Sequence, residues 1–395
     1  MSHPRAFVAS TAILALFLSA SAAPSPLYVV YQQQWHFSET TLTGVFAIYV
    51  IGLLGSLLVV GGLSDHLGRR PVLGAAVALE AVAMLLFLTA GGVPELVAAR
   101  FLQGVATGAA MTTLAAALID LNPPHAPQRA GVVNSITPTS ALAFGALACG
   151  ALVQFAPAPT HLVFAVILAG LVLSAAVVLT LPETSSRRPG AVASLRPRMS
   201  VPGRIRVEFT ALVPVLLASW AVGGIYLSLG PSVAVGVFGL QNHLVGGFVV
   251  ALLCGTGAVT SWFLREVAPA VLLRLAAGLL AFGLLITLAG VEWDVAGLAG
   301  LGTVLAGIGF GSGGIGCFGT LSRIALPDER SQLFAVGLTV SYLAFSIPAV
   351  IAGFAATSYG LHATVLTYGA AIVVLSVGAL AAQRVLDSRR DLVPA

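Results

Sequence analysis

Apolar residues run along this chain in about twelve long, nearly unbroken stretches, separated by short polar loops that hold most of the charge. The stretches lie near residues 6–30, 41–62, 71–91, 95–118, 130–153, 161–181, 210–236, 243–264, 269–289, 295–318, 332–356 and 362–383. Each has about the 20 residues that an α-helix needs to cross the hydrocarbon core of a bilayer. A lipid-facing barrel strand would instead alternate apolar and polar positions over about ten residues, and these runs do not. The pattern therefore predicts an all-α membrane protein of twelve transmembrane helices.

Composition agrees with that pattern. The chain has 395 residues, 58% of them hydrophobic and 8% charged, against roughly 25% charged in an ordinary soluble domain. The mean hydropathy is +1.01. All 18 basic residues are arginine, and with 14 acids the formal charge is +4. The loop arginines fall at Arg5, then after the second stretch (Arg69, Arg70), the fourth (Arg129), the sixth (Arg187, Arg188, Arg196, Arg198, Arg204, Arg206), the eighth (Arg265), the tenth (Arg323, Arg330) and the twelfth (Arg384, Arg389, Arg390). The alternate loops carry none, so the positive-inside rule places both termini in the cytoplasm. Arginine clusters without interleaved aromatics also argue against nucleic acid as a partner. Cys149, Cys254 and Cys317 lie singly inside apolar runs, which implies neither a disulfide framework nor a metal site. No cofactor is implied.

Two segments need separate reading. Arg5, an apolar core and Ala20-Ser21-Ala22 imitate a cleaved signal peptide. Pro24 just beyond, and apolar residues continuing to Val30, favour a retained helix whose outer end is kinked at Pro24 and Pro26. The connection from 182 to 209 holds six arginines and four prolines and divides the chain almost in half. It reads as a basic cytoplasmic linker between an N-terminal six-helix bundle, 1–181, and a C-terminal one, 210–395. Its basic patch anchors the flanking helices or attracts anionic lipid.

After the second stretch stands Gly61-Gly62-Leu63-Ser64-Asp65-His66-Leu67-Gly68-Arg69-Arg70-Pro71-Val72-Leu73. It resembles the signature loop of the major facilitator superfamily, G-x-L-a-D-r-x-G-R-[RK]-x-x-L, with Gly61, Leu63, Asp65, Gly68, Arg69, Arg70 and Leu73 matching in place. His66 replaces the usual arginine. The resemblance implies a transporter of two pseudo-symmetric six-helix bundles in which Asp65 and Arg69 belong to a cytoplasmic gate, Asp65 latching the second span to the eleventh. Without the name, Asp65 reads as a helix cap and the arginines as topology determinants. In the fourth stretch, Arg100-Phe101-Leu102-Gln103-Gly104 with Gly108 is similar to the family's R-x-x-Q-G-x-x-x-G. An arginine at membrane depth costs at least about 2.5 kcal/mol and should face the bundle interior, unless it snorkels to the outer interface. Gly104 and Gly108 permit close helix packing. In the fifth stretch, Gly145-Ala146-Leu147-Ala148-Cys149-Gly150 stands where efflux-type members show G-P-x-x-G-G. The halves echo each other: 100–108 aligns with Thr303-Val304-Leu305-Ala306-Gly307-Ile308-Gly309-Phe310-Gly311, keeping both glycines and losing Arg and Gln.

Glu80 falls mid-span, where a carboxyl is costly unless protonated or paired. It is either the proton site or a neutral acid bonded to a neighbouring helix. Asp120 and Arg129 flank the loop after the fourth stretch, where the family has a charge pair. Tyr28, Tyr31, Tyr49, Asn134, Thr137, Trp220, Tyr226 and Tyr342 could line an aromatic cavity for a small amphiphile. A membrane enzyme or a channel would need a catalytic dyad or a filter sequence, and neither is present. The expected function is secondary active transport in a bacterial inner membrane by a monomer: export of a small organic compound in exchange for protons, with proton symport or facilitated import as the alternative. From the loop motif, Asp65→Asn should fold and show lower transport turnover; full turnover in a folded variant removes Asp65 from the mechanism.

Overall fold

The computed structural model describes residues 1–123, 126, 128–197, 199–326 and 329–391, with side chains as far as Gln383. Arg198 and the side chains of Arg384, Arg389 and Arg390 lie outside the described residues. Among the described residues all regular structure is helical: α1 (His3–Ala22), α2 (Pro24–Trp35), α3 (Glu39–Val60), α4 (Leu63–Leu67), α5 (Arg69–Leu88), α6 (Val93–Asp120), α7 (Arg129–Phe155), α8 (Pro159–Thr180), α9 (Ala191–Ser194), α10 (Arg206–Ser228), α11 (Gly230–Gly236), α12 (His243–Phe263), α13 (Pro269–Glu292), α14 (Ala296–Ile324), α15 (Arg330–Tyr359) and α16 (Leu361–Asp391). Twelve spans long and apolar enough to cross a membrane result, α1 with α2 forming the first. Most start or end within a few residues of the expected bounds, and α6, α8 and α13 carry proline in the first turn, a position whose N–H needs no helical partner. Ser38 caps α3 by accepting the Thr41 N–H at 3.2 Å.

The first helix of each half is broken. α1 ends at Ala22 and α2 begins at Pro24, as the two prolines lead one to expect. The stretch 210–236 reads as one span in the sequence but breaks at Leu229, where Gly230 and Pro231 open α11. Pro231 supplies no N–H to continue the ladder. Pro138, Pro214 and Pro348 are carried inside helices without ending them.

The chain forms two compact units, Met1–Arg198 with Asn242–Phe248, and Met199–Gln241 with Val249–Ala395. In the first, α6 packs between α3 and α5, and α1 lies against α7 and α6. In the second, α13 packs on α14 and α16, and α10 on α15. Glycines set the closest seams. A Cβ on Gly108 would stand 2.5 Å from the Leu53 carbonyl, one on Gly52 2.5 Å from the Phe101 carbonyl, and one on Gly104 would strike the Tyr49 carbonyl. In the second unit Gly307 lies against Leu253 and Thr256 of α12, and Gly311 against Gly257. The repeat seen in the sequence is thus a repeated helix seam. Forcing a side chain into such a contact costs about 1–3 kcal/mol when neighbours are side chains, and at Gly52 and Gly104 they are backbone. Gly104→Val should lower the thermal midpoint and the folded yield in detergent, whereas Gly55→Ala, with open space around it, should not. Equal behaviour of the two variants would refute the seam.

Candidate functional site

A guanidinium buried at membrane depth must find acceptors, and the break in α1 provides them. Pro24 has no N–H, so the carbonyl four residues earlier, Ala20, loses its helical donor. Gln103 on α6 donates Nε2 to that carbonyl at 3.1 Å, and Arg100, one turn before it, donates Nη1 to the Ser21 carbonyl at 3.1 Å. Arg100 also donates Nη1 to Gln103 Oε1 at 2.6 Å. Its guanidinium carbon stands 4.3 Å from the Tyr49 ring centroid and 5.9 Å from that of Tyr28, within cation–π range. Arg100 is 2% exposed, so the side chain turns inward and does not snorkel.

Glu80 on α5 completes the cluster. It is fully buried, and its Oε1 accepts the Gln103 amide at 3.2 Å. Gln103 therefore uses both ends of its amide to stand between the carboxyl and the guanidinium. Glu80 Oε2 and Arg100 Nε are buried without a hydrogen-bond partner, and the Tyr28 hydroxyl faces the guanidinium. Buried polar atoms left in that state typically cost about 1–3 kcal/mol each.

The signature loop forms a second cluster at the arginine-bearing end of the first unit. Leu63 opens the short helix α4, Gly61 ends α3, and Gly68 takes φ +108° between α4 and α5. Asp65 Oδ1 pairs with Arg69 Nη1 at 2.6 Å, and Arg69 Nε reaches Asp120 Oδ2 at 3.3 Å. Glu183, from the segment after α8, caps α5 by accepting the N–H groups of Arg69 at 2.7 Å and Arg70 at 3.2 Å. Gly68 is required twice over, by its φ and because a Cβ there would lie 2.5 Å from Glu183 Oε2. Thr184 bonds Asp120, Ser185 and the Arg188 N–H bond the Asp65 carbonyl, and His66 Nδ1 lies 2.8 Å from the Arg188 carbonyl. Arg70 Nη2 donates to the Leu179 carbonyl at 2.6 Å. The start of the linker is thus bound to the loop.

The candidates from the sequence divide into groups. Tyr28, Tyr49, Glu80, Arg100 and Gln103 come together; Gly104 and Gly108 serve the seam beside them. Asn134 stands apart on α7, its amide 3.4 Å from the Ala115 carbonyl. In the second unit the Trp220 ring packs edge-on to Tyr342 at 5.1 Å, and the Tyr226 hydroxyl meets Thr303 at 2.8 Å. Asp120 and Arg129 do not pair: Asp120 serves Arg69, and Arg129 lies 5.0 Å over the Phe7 ring. Sequence reasoning missed Glu183, Thr184 and Ser185, whose signal is an acid two residues past the end of the sixth stretch. Among the described residues no group of side chains could hold a metal ion.

Removing the distant cap tests the second cluster. Glu183→Ala should lower stability by about 1 kcal/mol, as loss of a helix cap does, read as a lower thermal midpoint, and Gly68→Ala should cost more. A midpoint unchanged in Glu183→Ala would contradict the cap.

Residues 8–349 match the family described as the Major Facilitator Superfamily. A 91-residue stretch is 35% identical to the 4-hydroxybenzoate transporter PcaK of Pseudomonas aeruginosa, covering 23% of this chain and 20% of that relative's length. The fold is similar to that of a bacterial homolog of the human lysosomal transporter Spinster (TM-score 0.74, 13% identity, 97% of each chain). It is also similar to a D-xylose-proton symporter (TM-score 0.74, 17% identity, 96% of this chain and 97% of that one), and to the nucleoside transporter NupG (TM-score 0.73, 12% identity, 96% and 99%). With twelve spans, the signature loop in its place and a family match over most of its length, the chain belongs to the major facilitator superfamily and is a multi-pass membrane protein.

Proposed function

We propose that this chain is a proton-coupled secondary transporter of a small organic compound in a bacterial cytoplasmic membrane. It works by alternating access, as a monomer without a cofactor, with both termini and the arginine-bearing loops in the cytoplasm. The observation that carries the reading is the buried Glu80–Gln103–Arg100 chain: one titratable carboxyl at membrane depth, joined through an amide to one permanent cation. Intramembrane ionisable groups mark proton and substrate paths. Glu80 is the proton carrier, and Asp65, Arg69, Asp120 and Glu183 belong to the cytoplasmic gate.

The mode of coupling follows from the substrate's charge. A compound that favours ionised Glu80 exchanges with the proton; one that favours protonated Glu80 travels with it. Export by exchange is supported by α7, where Gly145 lies against the Ser19 backbone and Gly150 against Gly247, so the tight packing of the efflux-type signature survives without its proline. Symport is supported by the fixed charge of Arg100. Among the relatives, one is named for 4-hydroxybenzoate and another for D-xylose with protons.

Inside-out vesicles with a pH dye in the lumen test the reading against a panel of cationic, neutral and anionic compounds. At least one compound should move protons, raising the pH of an acidified lumen under exchange or lowering that of a de-energised lumen under symport, and Glu80→Gln should abolish the movement. A labelled compound that equilibrates through the protein with no proton movement would make it a facilitator and overturn the coupling.

A further inference from the structure

We propose that the compound carried is an organic anion, whose charge is balanced by Arg100 while Glu80 holds the proton that travels with it. The inference rests on the proton-carrying role given to Glu80 above and adds the chemical class of the substrate and the sign of the coupling.

Charge balance at the buried cluster is the basis. A guanidinium is never neutral in a protein, and among the described residues Arg100 forms no ion pair. Its nearest acid is Glu80, but Gln103 bonds to both and holds them in series, not in contact. With Glu80 ionised the cluster is neutral; with Glu80 protonated it carries one positive charge. Burying an uncompensated charge is costly, so the transport cycle should avoid loaded states in which one remains. A cation exchanged for a proton leaves a net positive cluster in both the proton-loaded and the substrate-loaded state. A neutral compound leaves it in the proton-loaded state. An anion bound together with a proton leaves neither state charged: empty is Glu80 carboxylate with Arg100, loaded is Glu80 acid with Arg100 and the anion.

The surroundings agree. Arg100 Nε, a donor, is buried without a hydrogen-bond partner, and the Tyr28 hydroxyl faces the guanidinium. The faces of Tyr49 and Tyr28 cover the guanidinium without neutralising it. At this depth the field of the guanidinium acts over several ångströms, so compensation requires an anion close by, not a direct contact in the present conformation. The groups facing Glu80 are Arg100, Gln103 and Tyr49. Among the described residues the other charged and titratable groups on the helices packed on α5 and α6 lie near helix ends: Glu39, Glu95 and His161 begin α3, α6 and α8, and His3, Arg5, Asp65, His66, Arg69, Arg70, Asp120 and Arg129 lie at the arginine-bearing end. In the second unit the position aligned with Arg100 is Thr303, which bonds Tyr226.

The test is thermal unfolding of the purified full-length protein with probes that share a skeleton and differ in charge: benzoate, benzyl alcohol and benzylammonium, with acetate and naphthoate to vary size. At least one carboxylate should raise the midpoint by a few degrees, more at acid than at alkaline pH. Glu80→Gln, a permanent mimic of the protonated acid, should keep the shift and lose its pH dependence. Arg100→Gln should lose the shift, and Arg100→Lys, which retains the charge, should restore part of it and serves as the folded control. A shift from the alcohol or the ammonium compound but from no carboxylate, a carboxylate shift that survives in Arg100→Gln, or no carboxylate shift at all overturns the anion. Proton movement in the vesicles with a neutral or cationic compound would overturn it too, while leaving the proton-coupled reading intact.

Discussion

The need to satisfy one buried guanidinium organises the first unit. Arg100 lies at membrane depth and is 2% exposed, so its donors require acceptors supplied by protein. Regular helix has no carbonyl to spare there. Pro24 frees one by breaking α1, and the break turns the Ala20 and Ser21 carbonyls toward α6. The glycines Gly52, Gly104 and Gly108 then bring α3 close enough for Tyr49 to cover the guanidinium. Proline, arginine, glutamine and glycines at separate places in the chain therefore answer a single electrostatic demand.

The second unit has the same scaffold with that demand removed. Its first helix is also broken, at Leu229, and α12 and α14 meet through Gly257, Gly307 and Gly311 as α3 and α6 meet through Gly52, Gly104 and Gly108. Thr303, where the first unit has Arg100, satisfies itself with a neutral bond to Tyr226. Packing is thus repeated within the molecule, while the buried Glu80–Gln103–Arg100 chain is built on the first unit's helices. Alternating access uses two such similar bodies.

The fold was legible because its determinants are local. Twenty-residue apolar runs, arginines in alternate loops and the signature around Asp65 all speak through composition and short spacing. The depth of Arg100 and Glu80 was legible for the same reason. Their connection was not, because it passes through backbone carbonyls of α1 and through Gln103, and carbonyls have no letter in a sequence. Glu183 was missed for a related reason: its role as a cap belongs to an N-terminus more than 100 residues away. The break at Leu229 was lost inside a run whose hydropathy never falls, although Gly230-Pro231 marks it. Trp220 and Tyr226 belong to the second unit and Tyr28 to the first, a division that aromatic composition does not reveal.

Infrared difference spectroscopy of the purified protein across a pH titration tests the central claim, that Glu80 exchanges a proton beside Arg100, most directly and without knowledge of the substrate. The account predicts a carbonyl stretch of a protonated carboxyl that is present at acid pH, shifts in heavy water, disappears as the pH rises, and is missing from Glu80→Gln. A titrating carboxyl band of the same size in Glu80→Gln, or no such band in the unaltered protein at any pH, would contradict it.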